Sequence, residues 1–234
     1  MDSKTLIQTL SKYSVVADEK QANQLLDLMH LTLQANKVMN LTAITEEDDF
    51  LDKMIIDSAI VFKVGDIENK NVLDVGSGAG FPGLVLSILY PDAHITCLDS
   101  TKKKCLHIQK MIKQLELKNC EVVNARAEDY ARSHRHFYDV VISRAVASLD
   151  VLCELCGAFV RIDGQFIAMK AIRADEELAD AENAIKVMGL RLIKIEDTTL
   201  PLFKSKRYNI FFFKKKACLK KYPRLYKEIK ARPL

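Results

Sequence analysis

Residues 74–83 read Asp-Val-Gly-Ser-Gly-Ala-Gly-Phe-Pro-Gly and close a short apolar run over 72–75. Glycines at the alternate positions Gly76, Gly78 and Gly80 let the backbone turn tightly and let a ligand approach with no Cβ in the way. Pro82 suits the first turn of a helix, whose free N–H groups then face that ligand. Sixteen residues beyond Pro82 a second apolar run ends in Leu98-Asp99, and an acid there can accept hydrogen bonds from both ribose hydroxyls of a nucleoside. The chemistry expected of Gly76, Gly78, Gly80 and Asp99 is the holding of a nucleoside-bearing ligand.

Such a loop needs strands and helices to place it. Apolar runs at 72–75, 95–98, 122–123, 140–142 and 166–169 read as buried strands, and 83–90, 102–115, 149–160 and 174–188 read as helices between them. That alternation predicts a parallel sheet covered on both faces. The finish differs. Two β-rich runs, 190–196 and 208–213, are joined through a loop containing Pro201 with no room for a helix, which predicts antiparallel neighbours at one side of the sheet. The first 65 residues read as helical. Asp18 is placed to cap a helix striped by Ala22, Leu25, Leu26, Met29 and Leu33, and residues 45–48 resemble a capping box ahead of a second stripe, Phe50, Leu51, Met54, Ile55 and Phe62.

Composition bounds the class. The chain has 234 residues, 49% hydrophobic and 28% charged, with 8 Gly and 5 Pro. That length buries a full core without staples, and the balance excludes collagen-like, linker-like and broadly disordered chains. No apolar run approaches the ~20 residues of a membrane span, and the opening Met1-Asp2-Ser3-Lys4 lacks a secretory pattern. A soluble protein, cytoplasmic and without a membrane partner, is expected. The six cysteines form no secreted-type framework; Cys153 and Cys156 read as two small apolar residues on one helix face, and no metal site is expected.

Charge is uneven along the chain. From Lys204 onward there are twelve Lys or Arg against one acid, Glu228, a net of +11, which leaves the first 203 residues with 23 basic and 30 acidic side chains, a net of −7. A mildly acidic body with a basic end points to a polyanionic partner. Lys214, Lys215, Lys216, Lys220, Lys221, Arg224, Lys227, Lys230 and Arg232 follow the final strand, where they are expected to lie outside the core and to contact phosphates, with Tyr222 and Tyr226 stacking on unpaired bases. Removing residues beyond Lys216 is therefore expected to weaken binding of that polyanion and to spare the ligand of the glycine loop; the competing idea is that the tail packs back on the body and holds the fold.

Two cofactors compete for the glycine loop. A dinucleotide fingerprint would place its third glycine where Phe81 stands, whereas Gly76, Gly78 and Gly80 give G-x-G-x-G after an acidic strand. That spacing resembles class I S-adenosylmethionine-dependent methyltransferases. Further stretches occur in order: 40–45 (Asn-Leu-Thr-Ala-Ile-Thr), Asp57-Ser58, Asp99-Ser100 with Lys103-Lys104, Arg126-Ala127-Glu128, 143–147 (Ser-Arg-Ala-Val-Ala) and Lys221-Tyr222-Pro223-Arg224. Together with the loop they resemble the bacterial small-subunit ribosomal RNA methyltransferase G family, also called glucose-inhibited division protein B.

The resemblance implies an α/β, Rossmann-like fold of about seven strands, the last antiparallel, behind a small helical N-terminal segment. It implies methyl transfer from S-adenosyl-L-methionine to guanine N7 in the decoding-region loop of 16S rRNA, on naked RNA or on a small ribosomal subunit, by a chain expected to be a monomer. Cofactor contacts are implied at Gly76, Phe81, Ala127, Glu128 and Arg144; Gly78, Gly80 and Asp99 join them from the loop and ribose arguments. Arg144 is also the candidate catalytic residue, serving the cofactor, a phosphate or guanine O6. The domain division expected is 1–65 helical, 66–216 methyltransferase and 217–234 basic tail. The fourth strand ends in Ser143-Arg144 and not in the Asn/Asp-Pro-Pro-aromatic motif of an N6-adenine enzyme. One departure is Met54, where such proteins often carry His; it is expected to pack against the sheet. Against this stand a non-catalytic RNA-binding protein on the same fold, which would tolerate larger residues at Gly78 and Gly80, and a methyltransferase for another substrate.

Overall fold

The computed structural model describes the chain except for residues 64–65, 145–146 and 172–173 and the side chains of 174–176. Gly65 at the expected domain boundary, and Ala145 and Val146 of the stretch at 143–147, lie outside the described residues.

Seven strands form one sheet in the order β3-β2-β1-β4-β5-β7-β6. They are β1 (Asn71–Val75), β2 (His94–Asp99), β3 (Cys120–Asn124), β4 (Tyr138–Arg144), β5 (Val160–Lys170), β6 (Leu190–Thr199) and β7 (Lys206–Lys214). The first five are mutually parallel, and β7 runs antiparallel to both β5 and β6, so the final strand inserts before the edge. The switch of strand order between β1 and β2 on one side and β4 on the other opens a crevice at the carboxyl ends of β1 and β4; α/β sheets bind their ligands at such a point.

Successive side chains of a strand point to opposite faces, and the two cores follow from that. Val72, Val140, Ile142, Ile167 and Phe211 go to one core, and Leu73, Val75, Val141, Phe166 and Phe212 to the other. On the first face lie α1 (Ser3–Ser11), α2 (Glu19–Met39), α3 (Glu47–Phe50), α4 (Asp57–Ala59), α5 (Gly83–Leu89) and α6 (Lys102–Gln114). On the second lie α7 (Ala127–Tyr130), α8 (Leu149–Gly157), α9 (Ala174–Asp180), α10 (Glu182–Val187) and α11 (Tyr226–Ala231). The N-terminal helices share a continuous core with the sheet.

Two local expectations are corrected and one is extended. Asp18 does cap α2, in a reciprocal box with Gln21, and Leu26 and Leu33 pack partly buried against the core, but the buried face also carries Leu28, Thr32 and Asn36. Asn36 belongs there because its amide accepts from Leu41 N (2.6 Å) and Thr42 N (2.9 Å) and donates to Thr42 O (2.9 Å), a pairing that apolar periodicity does not register. No capping box forms at 45–48: Glu46 holds the N-cap position without a side-chain bond. The helix expected over 174–188 breaks at Ala181 into α9 and α10.

The largest correction concerns the basic end. Lys214 is fully buried, and its ammonium donates to Gly157 O and Met188 O, each at 2.6 Å. Two carbonyls at α8 and α10 termini thus take the charge inside, and burial pulls the Lys214 pKa down to about 8. Cys218, Tyr222 and Ile229 are core residues of the second face. Lys215, Lys216, Lys220, Lys221, Lys227, Lys230 and Arg232 are exposed. Among the described residues no helix is long and apolar enough to cross a membrane.

Candidate active site

The glycine loop leaves β1 with Gly76, Gly78 and Gly80 at φ 75°, 62° and 100°, a left-handed backbone that side chains resist. Two anchors shape it. Asp74 is buried, and its Oδ2 accepts from Gly83 N at 2.9 Å, tying the strand end to the start of α5; burial pushes its pKa up to about 6. Asp99, at the end of β2, accepts from Gly78 N (2.9 Å) on one oxygen and Thr101 N (2.8 Å) on the other. A carboxylate oxygen carries two lone pairs, so each retains capacity for a further donor.

The loop, the ends of β1, β2 and β4, and α7 enclose a cavity of about 820 Å³. Of the eight residues named from sequence, Gly76, Gly78, Phe81, Asp99, Ala127, Glu128 and Arg144 line it. Gly80 does not. A Cβ there would lie 2.3 Å from Leu84 Cδ1, so this glycine serves the fit of the loop onto α5. At Gly78 a Cβ would meet nothing nearer than Gly76 O at 3.9 Å, and the space in front of it is open for a ligand. Phe81 is buried, edge-on to Phe50 with ring centroids 5.4 Å apart, so the loop and α3 brace one another.

Arg144 is the best-held side chain in the site. It is not a surface residue: its side chain is 12% exposed. Nη1 donates to Lys53 O (3.0 Å) and Ser58 Oγ (3.4 Å) and lies 3.6 Å from Asp57 Oδ2, while Nη2 meets Met54 Sδ at 3.1 Å. The guanidinium also sits 5.8 Å from the Phe81 ring centroid. Residues Leu51–Ile56 form a π-helical turn, in which the Asp57 N–H bonds Asp52 O, five residues back, and the Lys53 carbonyl takes Arg144. Single π turns in helices recur at functional sites. Met54 therefore lines the cavity against Arg144 and does not simply pack on the sheet.

Sequence reasoning missed the second guanidinium. Arg207, on antiparallel β7 and 14% exposed, places Nε 3.2 Å from the same Asp57 Oδ2, and it lines the cavity with Lys53, Lys104, Arg126 and Lys170. Asp57 is thus a buried carboxylate shared by two arginines, and burial pushes its pKa up against the pull of both. Only the order of strands brings residue 207 here, and no local pattern could have announced it. The loop before β7 is fixed from below: fully buried Asp52 accepts from Leu202 N (3.1 Å) and Phe203 N (3.0 Å).

Glu128 is buried at the start of α7. Its Oε1 accepts from Arg126 Nε and Tyr226 N, both at 3.2 Å, and its Oε2 has no partner among the described residues. A buried acceptor without a donor calls for a ligand or an ordered water, and this one lies in a residue that lines the cavity, as does Asp57 Oδ1. Among the described residues no cluster of His, Cys, Asp and Glu could hold a metal.

A family model described as rRNA small subunit methyltransferase G matches residues 21–206. A ribosomal RNA small subunit methyltransferase G of Clostridium botulinum is 42% identical over 226 residues, covering 93% of this chain and 92% of that protein. The protein of the same name from Mesoplasma florum is 38% identical over 214 residues, covering 92% and 90%. Among solved structures, a SAM-dependent methyltransferase from Aquifex aeolicus aligns with a TM-score of 0.54 at 16% identity, over 70% of this chain and 92% of that one. Aeropyrum pernix fibrillarin, solved with S-adenosyl-L-methionine bound, aligns with a TM-score of 0.52 at 13% identity over 65% and 70%. At those identities the structural matches speak for the fold.

Proposed function

The chain belongs to the rRNA small subunit methyltransferase G family, and from that premise we propose that it methylates N7 of a guanine in the decoding-region loop of 16S rRNA, using S-adenosyl-L-methionine. It is an S-adenosylmethionine-dependent methyltransferase with rRNA as substrate. The observation that carries the site assignment is the gathering of Gly76, Gly78, Phe81, Asp99, Ala127, Glu128 and Arg144 around one cavity of about 820 Å³, within the range of small-molecule sites.

The residues suit the cofactor on three counts. Asp99 has acceptor capacity for a ribose diol, Gly78 leaves open space where a Cβ would stand, and Glu128 offers a buried oxygen with no partner. When bound, the cofactor supplies an electrophilic methyl group on a sulfonium. Guanine N7 carries a lone pair and no proton, so the chain has no proton to remove and its task is placement and charge. The cavity's carboxylates agree with that: Asp57 is taken by two guanidiniums, Asp99 by two N–H groups, and Glu128 by Arg126 and Tyr226 at one oxygen. Arg144, locked by Lys53 O, Asp57 and Met54, presents a fixed positive edge to cofactor or base, and Arg207 adds a second. Preorganised donors of this kind cost no reorganisation during reaction. We read the enzyme as a monomer, and as cytoplasmic in keeping with an rRNA substrate.

The reading is tested by titrating the purified protein with S-adenosylmethionine and with NAD, then supplying small subunits and cofactor labelled in the methyl group. Binding of the first alone, with label entering small-subunit rRNA, is expected. NAD binding, or label entering protein alone, overturns it.

A further inference from the structure

The segment around Lys221-Tyr222-Pro223-Arg224 is pinned to the body by contacts that lead it to the cofactor cavity. Arg135 donates to the carbonyls of Cys218, Leu219 and Tyr222. Arg224 forks onto Glu154 of α8, which is fully buried: Nη2 meets Oε2 at 2.6 Å, Nε meets Oε1 at 2.9 Å, and the Arg224 backbone N–H adds a third bond to Oε1 at 2.9 Å. A forked guanidinium on a buried carboxylate fixes direction as well as charge. Two residues later the chain reaches the cavity wall at Tyr226.

There Tyr226 touches Glu128, which the proposed function assigns to the cofactor. Its backbone N–H donates to Glu128 Oε1 at 3.2 Å, and the Arg126 guanidinium lies 4.6 Å from its ring centroid. Arg126 Nε donates to the same Glu128 oxygen, also at 3.2 Å. A free glutamate explores three torsions and loses that freedom at a cost when ordered. Two donors on one oxygen hold this carboxylate still, and its other oxygen is the buried one with no partner.

We propose that the C-terminal strap, residues 218–226, is a working part of the cofactor site, with Tyr226 as a positioning residue that orients Glu128 and walls the cavity beside it. The proposal rests on the assignment of Glu128 to the cofactor. It reverses the expectation that residues beyond Lys216 serve only RNA: their loss should weaken cofactor binding.

The backbone itself offers the test. Tyr226 is the first residue of α11, and Leu225 before it sits at φ −61°, ψ 140°; a first helical position accepts proline, and that extended geometry is what a residue preceding proline needs. Tyr226→Pro therefore removes both the N–H and the ring while the strap stays in place, and Tyr226→Ala removes the ring alone. Calorimetric titration of the full chain with S-adenosylmethionine is expected to show about fivefold weaker binding for the alanine variant and about thirtyfold for the proline variant, the latter ~2 kcal/mol. Cofactor-free melting temperatures of both should fall only modestly, since Tyr226 packs partly buried against the second core, and Lys227→Ala, an exposed neighbour, should bind S-adenosylmethionine normally. Wild-type affinity in both Tyr226 variants overturns the proposal, as does a loss confined to methyl transfer with affinity intact. If the proline variant melts early, the alanine variant decides in the same way. Glu128→Ala separates the two levels: unchanged affinity there removes the Glu128 assignment, whereas weakened affinity there with normal Tyr226 variants removes the strap alone.

Discussion

An Asp57→Asn substitution takes one negative charge from a place where two buried guanidiniums share it. Arg144 Nη1 and Arg207 Nε lie 3.6 Å and 3.2 Å from Asp57 Oδ2. At an effective dielectric constant of about 20 each contact represents about 5 kcal/mol of attraction. The desolvation of three charges opposes this, as the raised pKa of Asp57 reports. The two nitrogens share one oxygen, so they are no more than about 7 Å apart and repel by roughly 2 kcal/mol once the carboxylate is neutral. The raised pKa says that relief of Asp57's own desolvation outweighs the lost attraction, so Asp57→Asn by itself is expected to keep its stability in urea unfolding at pH 7; what it leaves behind is the repulsion between the two guanidiniums. Arg207→Gln in the same chain should relieve the repulsion, so the double variant should be more stable than the two single variants predict by about 1–2 kcal/mol. Strict additivity of the two substitutions would refute the shared carboxylate.

Gly78→Val places a branched side chain at φ 62° in the open space before the loop; cofactor binding should vanish in calorimetry while circular dichroism stays native, since the strain is only about 1–2 kcal/mol. Unchanged affinity would take the cofactor away from this loop. His107, buried beside Thr32, has its pKa lowered to about 4 by burial. Below pH 6.5 the unfolded chain binds a proton that the folded chain refuses until about pH 4, so stability is full above 6.5 and falls between, by up to roughly 3 kcal/mol. Asp74 acts oppositely between 3.8 and about 6, because there the folded state keeps a proton that the unfolded state releases. The diagnostic is therefore the difference between wild type and His107→Phe: the melting temperature of wild type should fall further from pH 7 to 4.5. Parallel curves would contradict it.

The sheet was legible because parallel strands buried on both faces are apolar and short, and the helices between them have their own period. The glycine loop and Asp99 were legible because a tight turn and a ribose acceptor demand particular residue types at a fixed separation. Asp57 was noticed as part of a stretch, but its partners were not. Arg144 and Arg207 meet it only because β7 inserts beside β5 and the π-helical turn at Leu51–Ile56 packs over the strand ends. The basic end misled for a different reason. Charge counting assumes that a lysine lies at the surface, whereas Lys214 finds two carbonyls at helix ends and Arg224 finds buried Glu154. Gly80 shared the motif with Gly76 and Gly78 but answers to Leu84, since one spacing serves both ligand approach and loop packing.

The identity of the product decides whether this chain is a guanine-N7 methyltransferase. Mass spectrometry of nuclease fragments of small-subunit rRNA, from cells with the gene deleted and from the same cells complemented, reads it directly. One 7-methylguanosine is expected in the decoding-region loop, absent on deletion, restored by the wild-type chain and not restored by Arg144→Ala. A loop equally methylated without the gene, or a methyl group gained on another base, would contradict it.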